Sequence, residues 1–435
     1  MNPMRIELRY GRGELPVELP DGLDLTVISK PAMPALPAPQ AATRAALTTP
    51  VGAALPLAAF ARGKRRACIL ICDLTRPVPN GAILPPLLAT LRDAGVPREG
   101  ITVLVATGLH RPNEGAELAE LVGDPRVLAE ATVVNHFARN DADHVEIGRT
   151  RSGTVVRLDR RFVEAEIRIA TGLVEPHFMA GYSGGRKVIA PGVAHAETIT
   201  TFHSARFMEH PRCANCVLEG NPLHEEQLEI VAMIGGALAV NTVIDEARRL
   251  SFVNYGEVVA SHLEAVGFAR RYAEVPLARR FATVLTSAAG HPLDRTYYQT
   301  VKGMVGPLDI LEPGGDIIIA SACTEGLGSS HYVEAQRRLI EAGPARFLAD
   351  IKAKRYAAID EWQTEMQLKP MRLGRIALFT DGLKGEARAL TGVTMIDSVE
   401  EAVAASLRRH GTRSIAVIPE GPYVVPVHRP GAEAA

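Results

Sequence analysis

The sequence predicts an α/β protein of two domains, each with a mainly parallel sheet flanked by helices, and an active site in the interdomain cleft. Three observations predict it. From residue 65 onward, short apolar runs alternate with helical stretches, the texture of strand–helix–strand units. The same texture restarts near residue 281, after an Ala- and Arg-rich helical stretch, 258–280, that reads as a bridge. Finally, several apolar runs hand over to polar loops that carry Gly or Pro and an ionisable side chain. Ligands of open parallel sheets sit at the carboxyl ends of strands, and small-molecule sites favour clefts between domains. The expected boundaries are 1–275 for an N-terminal cofactor-binding domain and 276–420 for a C-terminal domain, with the tail 421–435 returning to the first.

Element by element, residues 5–28 alternate apolar and polar around Gly-containing turns, which suggests a small antiparallel entry sheet. Residues 31–60 are rich in Ala and Pro; Pro31, Pro34, Pro37, Pro39 and Pro50 leave room for short helical turns at most. Ala67–Cys72, Ile101–Ala106 and 166–170 read as strands. Each leads into a loop: Asp73-Leu74-Thr75-Arg76-Pro77, then Thr107-Gly108-Leu109-His110-Arg111-Pro112, then Thr171 through His177. In the second block, 283–286, 316–320, Arg375–Phe379 and Ser414–Ile418 read as strands, with helical stretches near 296–310, 331–353 and 398–409. No internal repeat of fixed period is present.

The bulk numbers exclude several classes. The 435 residues carry 48 Lys and Arg against 49 Asp and Glu, so no net field draws the chain to nucleic acid or a membrane. Its longest apolar runs, such as 230–240, are too short to span a bilayer. The opening Met1-Asn2-Pro3-Met4-Arg5 lacks the apolar core of a signal peptide. A cytoplasmic protein without nucleic-acid or membrane partners is expected. Five cysteines do not make a disulfide scaffold. Cys213-Ala214-Asn215-Cys216 has the spacing of a zinc or redox pair, and His210 and His224 lie near enough in sequence to complete a site. Without a second such pair, reduced and partly buried thiols are the favoured reading.

The densest chemistry lies in Glu175 through Lys187, EPHFMAGYSGGRK, with His203 sixteen residues further on. Glycines allow close backbone approach, and imidazoles offer proton transfer and metal ligation. His110 and His177 each follow a strand by a few residues. Two imidazoles on opposite sides of a substrate suit a reaction that handles both mirror forms, one serving as base for each enantiomer. The plainer reading has each ring capping its own loop; the matched placement at two strand ends favours catalysis. Lys187 does not satisfy a phosphate-loop pattern, because Arg186 separates it from Gly185 and Val188 takes the hydroxyl position. It can instead bind an anion, tether a cofactor or be a solvated loop lysine. His203 falls on an expected helix after Pro191-Gly192, with His195 as a rival; alone it reads as a surface histidine, although imidazole ligates nickel, zinc and copper. Gln299 and Lys302, at i and i+3 of an expected helix start, share a face that suits a carboxylate and a neighbouring oxygen, or form a solvated turn.

Taken together, these residues resemble the nickel-dependent lactate racemase family. The resemblance rests on Asp73–Pro77, Thr107–Arg111, Glu175–Lys187, His203 at its offset, Tyr298-Gln299-Thr300-Val301-Lys302-Gly303-Met304, 314–320 and Ile418-Pro419-Glu420-Gly421-Pro422-Tyr423. It spans nearly the whole chain and thins over the first 60 residues. It implies a racemase or epimerase of 2-hydroxy acids and a nickel-pincer nucleotide, a pyridinium mononucleotide whose two sulfur arms and ring carbon grip nickel. By position, Lys187 is the covalent attachment point and His203 the remaining nickel ligand. Asp73, Leu74, Thr75 and Arg76 contact the nucleotide, with Arg76 also at the substrate. His110 and His177 match the acid/base pair, and Gln299 and Lys302 match substrate-binding positions. The implied reaction passes hydride to the cofactor and back through a planar 2-keto acid, and the implied partners are a small 2-hydroxy acid and cofactor-maturation enzymes. Met179 and Trp362 are candidate pocket walls, and an apolar wall favours an aliphatic side chain. Two rival readings are a nicotinamide-dependent 2-hydroxy-acid dehydrogenase and a non-catalytic nickel or nucleotide carrier. The first wants Gly-x-Gly-x-x-Gly after a strand, which is not evident here; the second has no use for a pair of acid/base histidines.

Overall fold

The computed structural model describes residues 4–431. Its contacts fall into two compact units. One runs to Pro31, takes in Ser204–Glu209 and resumes at Ala273; the other comprises Ala32–His203 and His210–Tyr272. Both are α/β with predominantly parallel sheets, as the sequence predicts.

The unit spanning Ala32–Tyr272 holds a six-stranded sheet. Its spatial order is Leu250–Glu257, Leu238–Ile244, Ile167–Leu173, Ala67–Cys72, Ile101–Ala106, Thr132–Asn135. All neighbours are parallel except the first pair. Ala67–Cys72 is buried at every position, as a central strand covered on both faces must be. From it the chain builds outward through Ile101–Ala106 to Thr132–Asn135, then returns to add Ile167–Leu173 on the other side. That reversal makes the carboxyl ends of Ala67–Cys72 and Ile167–Leu173 the topological switch point, where such sheets open a crevice for ligands.

The other unit holds a second six-stranded sheet, in the order Thr394–Ile396, Arg375–Phe379, Leu311–Ala320, Phe281–Ser287, Ser414–Ile418, Asp24–Val27. It is parallel throughout. Strand periodicity splits its core between two faces. Ile317 and Ile319 pack with Tyr297, Met304 and Tyr332, while Ile318 packs with Val399, Val403 and Leu407 on the opposite face.

The domain boundaries differ from expectation at both ends. Asp24–Val27 pairs with Ser414–Ile418, and the hairpin Met4–Tyr10/Gly13–Leu19 sends Leu8 and Val17 into the core shared with Val417. The entry strands therefore belong with the second half of the chain. The tail also stays there, because Val425–His428 pairs with Glu274–Leu277; residues 432–435 of the expected return lie outside the described residues. Three helical expectations also change. Residues 31–60 contain the ten-residue helix Pro39–Thr48, whose proline sits in the first turn, where its missing N–H costs nothing. The stretch 331–353 is two helices, Ser330–Ala342 and Pro344–Lys352, broken at Gly343 with φ +77°. The bridge helix ends at Ala273 and gives way to the strand Glu274–Leu277.

Candidate active site

Three loops leave adjacent strands of the Ala32–Tyr272 unit at their carboxyl ends. The first begins at Asp73, which is 5% exposed. Its Oδ1 accepts from the Thr75 backbone N–H at 3.1 Å and from Thr75 Oγ1 at 2.5 Å, a local turn that Asp favours. Its Oδ2 lies 2.6 Å from His110 Nδ1 on the second loop. Burial raises the Asp73 carboxyl, but the bond and charge of His110 and the Thr75 bonds outweigh it and hold the carboxyl below its ordinary range. Asp73 is thus ionised at neutral pH. The His110 side chain is 57% exposed above a carboxylate that is 8% exposed, so an accessible imidazole stands on a buried anion. Leu74 is positioned by its backbone N–H, which donates to Asn113 Oδ1 at 3.4 Å. Arg76 Nη1 donates to Glu175 Oε1 at 2.5 Å, joining the first loop to the third.

The third loop is a small hairpin, Pro176–His177 against Gly181–Tyr182. His177 Nδ1 accepts backbone N–H bonds from Met179 at 3.3 Å and Ala180 at 3.1 Å. The ring therefore caps its own turn, the plainer of the two sequence readings. Behind the hairpin, the Gly-rich turn serves packing. A Cβ on Gly172 would lie 2.6 Å from Gly185 N and 2.8 Å from Gly184 Cα. Because the clash is backbone against backbone, no rotamer relieves it. Gly172→Ala is expected to cost at least about 2 kcal/mol, read as a lower urea midpoint at unchanged slope; a wild-type midpoint would contradict this packing.

Arg186 starts the short helix Arg186–Ile189 and is fully buried. Its Nε donates to His224 Nδ1 at 2.6 Å, and its Nη1 lies 2.8 Å from His262 Nε2, which also lies 2.8 Å from the Ser183 carbonyl. Nη2 donates to the carbonyls of Ala180 and Tyr182 at 3.1 and 3.0 Å. These partners are all neutral. Burial pulls the guanidinium down to about 9, still charged at neutral pH. Lys187 follows directly, in the same four-residue helix.

His203 closes the helix Ala196–Phe202 and is 7% exposed, not the surface histidine its isolated position suggests. Its Nδ1 lies 2.9 Å from the Ile199 carbonyl. An oxygen acceptor there requires Nδ1–H, which leaves Nε2 as the nitrogen with a lone pair. Burial, aided by the charge of Lys187, pushes the imidazole down to about 4, so it is neutral at physiological pH. The rival His195 is engaged elsewhere: its Nδ1 accepts from Glu197 N at 3.1 Å and its Nε2 lies 3.0 Å from Asp141. Cys213 donates to the Met179 carbonyl at 3.2 Å, and His224 is held by Arg186. Among the described residues, no group of three or more His, Cys, Asp and Glu is placed to hold a metal ion by itself.

In the other unit, Gln299 and Lys302 lie on the helix Tyr297–Val305, started by the Thr296 cap. The Gln299 Oε1 is buried without a hydrogen-bond partner, a group that awaits a donor. Trp362, 8% exposed, lies on the helix Glu361–Leu373.

Buried neutral histidines make the fold sensitive to acid. His136 and His224 are pushed down to about 3 and His203 to about 4, chiefly by burial. In the unfolded chain each binds its proton near pH 6.5. Stability is therefore full above about pH 6.5 and falls as the pH drops toward the folded values. Each of the three contributes up to about 1.4 kcal/mol per pH unit. Chemical denaturation between pH 7 and 5 checks this; a flat profile would contradict it.

Residues 10–215 match the lactate racemase N-terminal domain and residues 278–426 the lactate racemase C-terminal domain. The chain belongs to the lactate racemase family. It is 30% identical to the lactate racemase of Thermoanaerobacterium thermosaccharolyticum over 97% of this chain and 98% of that protein. It is 30% identical to that of Lactiplantibacillus plantarum over 87% of this chain and 89% of that one. The lactate racemase apoprotein from T. thermosaccharolyticum superposes with a TM-score of 0.89, covering 97% of this chain and all of that one. A Thermotoga maritima protein of 16% identity shares the fold, at a TM-score of 0.66. As a member of the lactate racemase family, the chain is an enzyme of the isomerase class. No helix among the described residues is long and apolar enough to cross a membrane.

Sequence reasoning named the loops but missed several partners within them. Glu175 as the anchor of Arg76, the Asp73–His110 pair, and His224 and His262 around Arg186 all depend on which strands and helices become neighbours.

Proposed function

We propose that this protein interconverts the enantiomers of lactate or a closely related short-chain 2-hydroxy acid. The observation that carries the reading is the Asp73–His110 pair at 2.6 Å beside the Arg76 turn, at the switch point of a chain whose two halves both match the lactate racemase family. A nickel-pincer nucleotide fits the residues present. Such a group brings its own sulfur and carbon donors and asks the protein for one ligand. His203, neutral and with Nδ1 committed to Ile199, offers Nε2 for that role. Lys187, whose charge reaches His203, is the proposed tether, and Asp73, Leu74, Thr75 and Arg76 are the proposed nucleotide contacts.

When bound, that group supplies a site to accept the C2 hydrogen as hydride and return it. The protein's own residues do the rest. Removing C2–H as a proton would build a second negative charge beside the substrate carboxylate, so the residues are arranged for the hydroxyl proton instead. His110 and His177 hold and return that proton on the two faces of the planar 2-keto acid. Arg76, Gln299 and Lys302 are the proposed substrate contacts: a guanidinium and an ammonium suit the carboxylate, and an amide carbonyl suits the hydroxyl.

The test is chiral analysis of single lactate enantiomers incubated with protein co-expressed with cofactor-maturation enzymes, without added nicotinamide. The expected result is a racemic mixture, together with an intact mass above that of the sequence that disappears in Lys187→Ala. Product formed only with added nicotinamide would instead identify a dehydrogenase. Binding of nickel nucleotide without turnover would identify a carrier.

A further inference from the structure

Asp73 and the hairpin amides act on the two histidines in opposite senses. Carboxylate oxygens of an ionised Asp only accept hydrogen bonds, so the 2.6 Å contact from Asp73 Oδ2 puts a proton on His110 Nδ1. In its neutral form His110 then has Nε2 as its basic nitrogen, the position that receives a proton without a change of tautomer. Backbone N–H groups only donate, so the contacts from Met179 and Ala180 require a lone pair on His177 Nδ1. Neutral His177 therefore carries its proton on Nε2. An imidazolium bears hydrogen on both nitrogens, so His177 can neither gain a proton at Nε2 nor pass one on from the charged form while those two amides point at Nδ1.

The geometry points to an unequal pair: Asp73 is a positioning residue that sets His110 ready as a base in the unloaded protein, while His177 is held out of the proton cycle by its own turn until its ring leaves the Met179 and Ala180 amides. This rests on the racemase reading above, and goes beyond it by assigning the tautomer of each ring and the residue that fixes it. The buried setting of Asp73 favours this role, because a carboxylate with little water around it interacts more strongly with the ring above. Asp73 lies against His110 Nδ1, and Arg111, next in sequence, is held bidentate by Glu117.

The test is long-range nitrogen–proton NMR on histidine-labelled, unloaded wild-type protein, with His110→Gln and His177→Gln used to assign the two rings. The expected result is Nδ1–H for His110 and Nε2–H for His177. In Asp73→Asn, the His110 titration midpoint is expected to fall by about one pH unit or more through loss of the carboxylate charge, with Asp73→Glu restoring part of it. His110 found as Nε2–H, His177 found as Nδ1–H, or an unmoved His110 midpoint in Asp73→Asn would each overturn the inference. The wild-type tautomers need no variant at position 73 to fold. Reversed tautomers in a protein that racemises lactate when loaded would sink this inference alone. Expected tautomers in a loaded protein that fails to racemise would sink the functional reading instead.

Discussion

His110→Ala and His177→Ala are each expected to lower racemisation by at least about 100-fold, the scale of a positioned acid or base, while retaining the mass increment on Lys187. The structural consequences of the two changes differ, which makes the comparison informative. Without His110, Asp73 keeps its two bonds from Thr75, and the carboxylate gains access to water through the space the ring leaves. Little stability should be lost. Without His177, the Met179 and Ala180 amides lose their acceptor, at a cost of about 1 kcal/mol. Chiral turnover, intact mass and a urea titration on the same preparations separate chemistry from folding. Unchanged turnover in either variant would reject the paired acid/base mechanism.

The largest effect on stability is expected from Arg186→Ala. The guanidinium is wholly enclosed and meets two imidazoles and two carbonyls. Alanine would take the guanidinium donors from His224 Nδ1 and the Tyr182 carbonyl, leave the Ala180 carbonyl only the Tyr182 N–H, and open a cavity where a long side chain had been, penalties that add. A loss of about 3–5 kcal/mol is expected, the upper range for a single substitution. Arg186→Met, which refills much of the volume but restores no donor, should recover only part of it. Because Ala180 and Tyr182 belong to the hairpin that carries His177, the hairpin amides should also exchange with solvent faster in both variants. Wild-type stability in Arg186→Ala would show that the buried cation contributes nothing net, as some buried charges do not.

The strands Ala67–Cys72, Ile101–Ala106, Arg375–Phe379 and Ser414–Ile418 are legible in the sequence to the residue, because buried parallel strands leave compact apolar runs bounded by polar loops. Asp24–Val27 is not. It falls within 5–28, the stretch read as an antiparallel entry sheet, but it is a four-residue parallel edge strand whose partner in the sheet comes from the far end of the chain, a pairing no local pattern announces. Prolines misled over Pro39–Thr48, because counting them as breakers ignores that one of them opens the helix. Gly343-Pro344 carried the opposite signal, a break inside what reads as one helical stretch.

The candidate site divides the same way. Loops after strands are visible in sequence, so Asp73, Arg76, His110, His177 and Lys187 could all be named. Their pairings follow from sheet order, which places the loop after Ala67–Cys72 beside those of its two neighbours. Arg186 is the instructive failure. In the sequence it serves only to interrupt a phosphate-loop pattern, and only the packing of His224 and His262, from two later helices, reveals a buried cation. His203 fails for the same reason: its isolated helical position conceals that it is enclosed.

In the proposed reaction the histidines handle the hydroxyl proton, while the C2 hydrogen travels as hydride and comes back. Lactate of one hand, deuterated at C2 and incubated in ordinary water with loaded enzyme, tests it most directly. Mass analysis of the opposite enantiomer is expected to find the deuterium still on C2. Product of inverted configuration carrying protium drawn from the solvent would mean that C2 loses a proton, and would contradict the account.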